Sequence, residues 1–203
     1  MTKNPMFTLT YGLFIVTAQK EGIDNGCLIN TATQVSSAPN RISISVNKTG
    51  YTHELLQGSD RFALSVLDES ADFALIERFG HHSGRDTAKF ADFPTCARTP
   101  SGLYYVTAGT NAVLSVKTEK TIDLDSHTLF IGSVTDMLLL SDKPSMTYAY
   151  YGEHVKPKPT AKASDEPVWR CTVCGYEYHG ETIPADFICP LCKHPVSDFV
   201  KVD

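Results

Sequence analysis

The chain has 203 residues and a formal net charge of −5 at pH 7, and its lysines and arginines form no cluster, which argues against a nucleic-acid partner. No apolar run approaches the length of a membrane span, and residues 1–10 lack the basic region and apolar core of a signal peptide. Outside a C-terminal group of cysteines there are only Cys27 and Cys96, too few for a disulfide framework. We therefore expect a soluble protein of the reducing cytoplasm.

Four segments in the first 153 residues have the pattern of β-strands. In residues 42–47 and 62–66, apolar side chains occupy every second position, as one buried face of a strand requires. Residues 104–117 and 128–139 are rich in β-branched and aromatic side chains, which favour strands. A mainly β domain is the expected result.

Two helix-like segments interrupt this series, at residues 52–57 and after Ser70. In the second segment, apolar residues recur on one helical face until Gly80 supplies a stop. Many strands with few helices indicate a β-barrel, which we expect to occupy residues 1–153.

Residues 154–167 differ in composition from the chain on either side. They contain three prolines and almost no large apolar side chain, which predicts an extended linker. In the polyproline form, at roughly 3.1 Å per residue, it would reach on the order of 40 Å. This linker would separate residues 1–153 from a small C-terminal domain at residues 168–203.

The C-terminal domain contains two Cys-x-x-Cys pairs separated by 14 residues. A tight turn at each pair would direct two thiolates to one point, and the intervening segment would fold back to complete a tetrahedral four-sulfur site. Such a site suits either zinc or iron, so only the surrounding residues can indicate which metal is bound. The predicted ligands are Cys171, Cys174, Cys189 and Cys192.

Aromatic residues surround these cysteines in the sequence, namely Trp169, Tyr176, Tyr178, Phe187 and Phe199. Over roughly residues 168–202 this pattern resembles a rubredoxin, a one-electron carrier in which aromatic side chains pack around a single iron. A structural zinc ribbon is the alternative. With about 35 residues, the domain has too small a core to fold on burial alone, so metal binding should supply much of its folding free energy.

A second resemblance runs through residues 6–150 and depends on several segments in order. They are residues 11–17 (YGLFIVT), 25–26 (NG), 33–39 (TQVSSAP), 47–49 (NKT), 52–53 (TH), 79–86 (FGHHSGRD), 89–90 (KF) and 125–132 (DSHTLFIG). Together they resemble the flavin reductase family, which implies a split β-barrel that binds FMN or FAD, usually as a homodimer. One departure is that the family's common Gly-Asp-His reads Asp125-Ser126-His127 here.

The resemblance implies a flavin phosphate site at Asn47, Lys48 and Thr49, with Arg85 as a second cation. A turn before a helix offers backbone N–H groups and hydroxyls, and the two cations complete the chemistry that a phosphate requires. Considered alone, Lys48 and Arg85 would be ordinary solvated surface charges.

The flavin ring needs hydrogen bonds at its pyrimidine edge and one open face. The segment that resembles the family's ring-contacting strand and turn consists of Asn30, Thr31, Ala32, Thr33, Val35 and Ser36. A polar edge strand is the alternative interpretation of this segment. Further predicted flavin-binding residues are Tyr51, Thr52, Ser83 and Lys89.

The resemblance places His127 near the flavin and the nicotinamide, which makes it the candidate catalytic residue. Its alternative role is a turn histidine bonded to nearby backbone. The transfer of hydride depends more on holding nicotinamide against flavin than on an acid or base. No Gly-x-Gly-x-x-Gly follows a strand, so the sequence predicts no Rossmann site, and the family resemblance implies that NAD(P)H stacks on the flavin without a domain of its own.

The fusion of the two domains predicts an NAD(P)H:flavin/rubredoxin oxidoreductase that resembles the high-molecular-weight rubredoxins of anaerobes. FMN would pass electrons to the rubredoxin iron, and the resemblance implies a flavodiiron oxygen or nitric oxide reductase as the next acceptor. One alternative is a flavin reductase that releases reduced flavin and carries a structural zinc ribbon. Another is a non-enzymatic carrier whose flavin is reduced by a different protein.

Overall fold

The computed structural model describes residues 5–157, 167–173, 175–190 and 194–202. The chain divides into two compact units, Met1–Pro157 and Lys158–Asp203. The first unit extends through a helical turn at Tyr151–Val155, so the predicted linker begins inside that turn. Residues 158–166 of the predicted linker lie outside the described residues, and its extended form stays a prediction.

The described part of the first unit contains nine strands and three short helices. The strands are β1 Phe14–Lys20, β2 Ile23–Ile29, β3 Thr33–Ser37, β4 Asn40–Asn47, β5 Arg61–Leu67, β6 Cys96–Arg98, β7 Tyr104–Val106, β8 Thr110–Leu124 and β9 His127–Leu139. The helices are α1 Tyr51–Gln57, α2 Phe73–Gly80 and α3 Tyr148–Tyr150, the last continuing into the π-helical turn Tyr151–Val155. Among the described helices, none is long and apolar enough to cross a membrane.

Seven of these strands form one antiparallel sheet in the order β2-β1-β5-β8-β9-β4-β3. The two edge strands, β2 and β3, are consecutive in the chain and are joined by only residues 30–32. Because so short a connection keeps both edges together, the sheet must curl into a barrel with a seam between β2 and β3. The predicted split β-barrel is confirmed.

The alternation at residues 42–47 correctly predicts β4, since Ile42, Ile44 and Val46 are all buried. Residues 62–66 form β5 as predicted, but this strand is buried on both faces. The polar Ser65 is buried because the short strand β7 covers it, and its hydroxyl accepts a hydrogen bond of 3.1 Å from the Val106 backbone N–H.

The predicted strand at residues 104–117 is wrong in one respect, because the structure divides it into β7 and β8. Gly109 lies between them with φ of +65°, in the left-handed region that glycine tolerates best. An added Cβ at Gly109 would also lie 2.6 Å from the Ala71 Cα. The break therefore depends on a close backbone contact that the strand-like composition does not reveal.

Two apolar clusters stabilise the first unit. One lies among the sheet strands and α1, and its largest members are the fully buried Phe62 and Phe130. The other packs α2 and the C-terminal helical turn against the sheet, with Phe79 and Tyr151 among its members. Burial raises the pKa of the Tyr151 hydroxyl to about 12.

The second unit is described by itself. Its three described strands are β10 Val168–Cys171, β11 Glu177–His179 and β12 Phe199–Val202, in the sheet order β11-β10-β12. Among the described residues of this unit, the buried core consists of Cys171, Cys189 and Phe199, with aromatic and aliphatic side chains packed around them.

We expect Phe62→Ala to lower the free energy of unfolding of the first unit by about 3–5 kcal/mol, because it removes a fully buried ring and leaves a cavity. Urea unfolding followed by circular dichroism measures this change. Leu124→Ala is the matched control, since Leu124 is 47% exposed and its truncation should change stability by about 0.5 kcal/mol or less. Equal losses in both variants would contradict the assigned core.

Candidate functional site

The predicted phosphate turn connects the end of β4 to α1. The Asn47 side-chain oxygen accepts hydrogen bonds from the Thr49 backbone N–H and hydroxyl, both at 2.9 Å. The Lys48 backbone N–H donates to the Ser126 carbonyl at 3.0 Å, which ties the turn to the connection between β8 and β9. The turn is therefore ordered by its own side chains and by the neighbouring hairpin.

Both predicted phosphate-binding cations lie beside this turn or beside α1. Lys48 Nζ donates to both carboxylate oxygens of Asp123 at 2.6 Å, and this interaction holds the pKa of Asp123 below its usual value. Arg85 pairs with Glu54, and its guanidinium carbon lies 5.0 Å from the centre of the Tyr51 ring. Exposed ion pairs contribute little to stability, so a phosphate can replace either carboxylate at small cost.

The predicted ring-contacting segment follows β2 and continues into β3. The Thr31 hydroxyl donates to the Ser45 carbonyl at 2.7 Å, two residues before the phosphate turn begins at Asn47. Asn30, Ala32 and Thr33 are its neighbours in the chain, and all three retain some solvent exposure. This half of the segment therefore lies along the end of β4 that leads into the turn.

Val35 and Ser36 lie farther along β3, where its pairing with β4 is irregular. Ser36 is paired with Arg41, six residues before Asn47 in the chain. At roughly 3.3 Å per residue, this separation along the strand is on the order of 20 Å. The structure thus brings Thr31 and Thr33 closer to the turn than Val35 and Ser36, and flavin contact by this segment stays a prediction.

The candidate catalytic residue His127 begins β9 and is paired with Asn47 on β4. Its Nδ1 lies 2.9 Å from the Ser126 hydroxyl, and its side chain is half-buried. The structure therefore brings His127 to the phosphate turn, whereas a contact with nicotinamide stays a prediction.

A second histidine, His53, lies beneath the same region and was not predicted as a site residue. Its Nε2 is 2.8 Å from the hydroxyl of Thr128, which follows His127 on β9. Burial is the main cause that lowers the pKa of His53, and the charge of Lys48 adds to the effect. A neutral His53 therefore links α1 to β9.

Three further predicted flavin-binding residues differ in their surroundings, namely Thr52, Ser83 and Lys89. Thr52 is buried and accepts a hydrogen bond of 3.0 Å from the Asn25 side chain, while the Ser83 hydroxyl accepts one of 3.2 Å from the Arg85 backbone N–H. Lys89 is only 3% exposed, and its ammonium donates to two backbone carbonyls. Flavin binding by these residues stays a prediction, and for Lys89 it would compete with bonds already made inside the protein.

Sequence reasoning missed the partners of the predicted residues. Asp123 lies 75 residues from Lys48, and Glu54 lies 31 residues from Arg85, so no local pattern connects them. Asn25, the hydrogen-bond partner of Thr52, is the exception, because it belongs to the segment at residues 25–26 that contributes to the family resemblance.

The candidate metal centre is built on two turns of the second unit. The Cys171 backbone N–H donates to the Tyr176 carbonyl at 2.8 Å, and its carbonyl accepts from the Gly175 N–H at 2.9 Å. The Cys189 N–H donates to the His194 carbonyl at 2.8 Å. Cys171 and Cys189 are 1% and 0% exposed. Cys174 and Cys192 lie outside the described residues, so the four-sulfur arrangement stays a prediction.

An aromatic shell surrounds the two buried cysteines. The centre of the Phe187 ring is 4.9 Å from that of Tyr178, 5.4 Å from that of Phe199 and 6.3 Å from that of Tyr176. Trp169 packs against the same cluster and donates from its ring nitrogen to the Gly180 carbonyl at 3.2 Å. Buried sulfur ligands on adjacent turns suit a metal that prefers thiolates, so the described residues fit the predicted iron.

Comparison with known proteins identifies both units. The flavin reductase-like domain matches residues 6–158, most of the chain. The chain belongs to the flavin reductase-like family. Residues 169–200 match the rubredoxin-like domain of rubrerythrin. The two resemblances predicted from the sequence are confirmed, and they identify an oxidoreductase of electron transport with a flavin domain and an iron-binding domain.

Individual relatives share one or both domains. High molecular weight rubredoxin of Moorella thermoacetica is 36% identical over 220 aligned residues, which cover 95% of this chain and 96% of the relative. A ferric-chelate reductase (NAD(P)H) of Archaeoglobus fulgidus is 34% identical, covering 74% of this chain and 89% of the relative.

A solved structure shows the same fold as the larger unit. The NADH:FAD oxidoreductase SgcE6 of Streptomyces globisporus, in complex with NAD and FAD fragments, aligns with a TM-score of 0.64 and 23% identity. The alignment covers 79% of this chain and 99% of that protein. Similarity at this level of identity supports the fold of the barrel.

If Lys48 and Arg85 bind the flavin phosphate, Lys48→Ala and Arg85→Ala should each weaken FMN binding by roughly 1.5–3 kcal/mol, because a charge-assisted hydrogen bond is lost. Fluorescence titration of the flavin-free protein gives the affinities. Riboflavin, which lacks the phosphate, should show a smaller loss. Lys120→Ala, at an exposed position on β8, is the control variant. An equal loss for FMN and riboflavin would refute the assignment.

We expect His53 to lower stability in acid. Its pKa in the folded protein is below the ordinary value of 6.5, so the unfolded chain binds the proton more readily as pH falls through that value. The free energy of unfolding of the native protein should therefore fall more steeply between pH 7 and 5 than that of His53→Gln. Urea unfolding at several pH values compares the two, with Lys48, Glu54, Asp123 and His127 present in both. Parallel pH curves would contradict this role.

Proposed function

We propose that the chain is an NAD(P)H-oxidising flavoprotein that passes electrons from FMN to its own rubredoxin iron and then to a separate protein. The observation that supports this most is the presence in one chain of a flavin reductase-like barrel and a unit with two thiols buried in an aromatic shell. A bound flavin accepts two electrons as a hydride and releases them singly, and an iron held by four cysteines accepts one.

In this proposal, Lys48 and Arg85 exchange their carboxylate partners for the flavin phosphate. The backbone N–H groups of Lys48, Thr49 and Gly50 already donate to Ser126 and Asn47, so the turn is ordered by its own bonds and the two cations would supply the phosphate contacts. Lys48 in the turn and Arg85 beside α1 would each donate charge-assisted hydrogen bonds to the phosphate of FMN.

The Thr31 side of the β2–β3 segment would supply hydrogen bonds to the flavin ring. Thr31 already exchanges hydrogen bonds with the Ser45 backbone, so its position on the barrel is fixed before flavin binds. His127, paired with Asn47, would lie between the phosphate turn and the nicotinamide. Its task would be to orient the donor, since the transfer of hydride depends mainly on position.

The relatives support NAD(P)H as the donor. The Archaeoglobus fulgidus relative is named as a reductase that uses NAD(P)H, and the Streptomyces globisporus protein was solved with NAD and FAD fragments. A flavodiiron protein as the acceptor, and a homodimeric state, rest on the family resemblance alone.

Anaerobic titration with NADH, with flavin and iron spectra recorded together, tests the proposal. The native protein should contain flavin and iron in about equal amounts, because the two sites belong to separate units. Its flavin should be reduced before its iron.

Cys171→Ser should lose the iron, keep the flavin and its reduction by NADH, and fail to reduce the protein acceptor. Cys96→Ser is the matched control, because Cys96 lies in the first unit and its thiol contacts only a backbone carbonyl among its described hydrogen bonds. Two results would refute the relay: stoichiometric zinc in protein made with ample iron, or undiminished acceptor reduction by Cys171→Ser.

A further inference from the structure

Residues 81–88 form a loop between the end of α2 and the buried residue Lys89. We name it the Arg85 loop. The Lys89 ammonium donates to the Phe79 carbonyl at 3.1 Å and to the Gly26 carbonyl at 3.0 Å. Phe79 belongs to the last turn of α2, before the loop, and Gly26 lies on β2. The Lys89 ammonium thus fastens the base of the loop to the barrel, and the Arg78 guanidinium of α2 holds the same base by donating to the Lys89 and Ala91 carbonyls, both at 2.7 Å.

This lysine is unusual because it is buried. Lys89 is 3% exposed, and its nitrogen lies 5.9 Å from the centre of the Phe79 ring. Burial lowers its pKa, which shows that the ammonium is held there against a cost of desolvation. Lysine is almost never fully buried in proteins unless its charge has partners, and here the described hydrogen-bond partners are two backbone carbonyls, one on the last turn of α2 and one on β2.

The middle of the loop is fixed by a second contact. An added Cβ at Gly84 would lie 2.3 Å from both Asn25 Nδ2 and Oδ1, so only glycine allows the loop to approach this closely. Asn25 is 2% exposed and donates to the Thr52 hydroxyl of α1 at 3.0 Å. Gly84 therefore touches the side chain that connects β2 to α1.

Arg85 follows Gly84 directly and meets α1 at two points. It pairs with Glu54 and lies over the Tyr51 ring. Both contacts are exposed, so neither is strong enough to hold the loop by itself. The position of Arg85 then depends on the buried contact of Gly84 and on the base of the loop, which Lys89 and Arg78 hold together.

We propose that Lys89 is a positioning residue for flavin binding, which acts through Arg85 by closing the base of the Arg85 loop, while Gly84 fixes the middle of the loop on Asn25. This inference rests on the proposed function, in which Arg85 binds the flavin phosphate. It assigns Lys89 a role that differs from the direct flavin contact predicted from the sequence.

A double-mutant cycle on flavin affinity separates the two roles. Lys89→Met keeps the aliphatic length and removes the charge, and it should weaken FMN binding about tenfold or more, with a smaller loss for riboflavin. In the Arg85→Ala background the same change should have almost no further effect on FMN, because an absent guanidinium cannot be misplaced. Lys117→Met, at an exposed lysine of β8, is the matched control and should leave both affinities unchanged.

Gly84→Ala is the second variant, and it tests the role of the Arg85 loop if Lys89→Met fails to fold. It should produce the same selective loss for FMN while Lys89 is intact. Hydrogen exchange of the flavin-free protein gives an independent measurement, in which both variants should speed exchange in residues 81–88 and leave α1 and β4 protected.

Three outcomes would overturn the inference: additive losses in the cycle, which mean that Lys89 contacts the flavin itself; equal losses for FMN and riboflavin; or no change of FMN affinity in Arg85→Ala. These equilibrium measurements need neither NADH nor the iron. Failure of the electron relay in the anaerobic titration would leave them unaffected, so the two proposals can fail separately.

Discussion

The register between β4 and β9 is the constraint on which the candidate flavin site depends. It sets Asn47 opposite His127 and allows the Lys48 backbone to bond to Ser126. A slip of one residue would turn every side chain of the strand to the opposite face, and the buried Ile44 and Val46 forbid it. Gly132 constrains the other side of β9, since an added Cβ would lie 2.4 Å from the Lys117 carbonyl of β8. The packing of the barrel thus determines where the phosphate turn meets the β8–β9 hairpin.

Charge at this end of the barrel is balanced in pairs. Each predicted phosphate-binding cation has an exposed carboxylate partner, so Lys48 and Arg85 are held near the turn without a large excess of positive charge. A phosphate carries more negative charge than one carboxylate and can accept from both cations. Under the proposed function, the two cations would exchange their weak ion pairs for the phosphate, and the released carboxylates would lie in water, where their charge is screened.

The sequence predicted the elements whose signal is local and missed those that depend on distant contacts. Alternation predicted β4, and helical periodicity predicted α2, because side chains that repeat toward one core leave a regular pattern. The division between β7 and β8 depends on the approach of Gly109 to Ala71, which no local pattern records. The same contrast holds for the residues of the candidate site. Family segments identified Lys48 and Arg85, whereas their carboxylate partners became visible only when the fold brought distant residues together.

The two units differ in what stabilises their folds. This difference determines how each unit depends on its cofactor. The barrel buries two large apolar clusters, so its fold does not need a cofactor. Of the three buried core residues in the described part of the second unit, Cys171 and Cys189 are themselves predicted ligands. Buried thiolates without a metal would be uncompensated charges, and thiols without one would leave a very small core. We therefore expect metal binding to be coupled to the folding of this unit, whereas the barrel has apolar clusters large enough to fold without the metal. Under the proposed function, iron supply would control how many chains can pass electrons onward, and it would leave flavin binding unchanged.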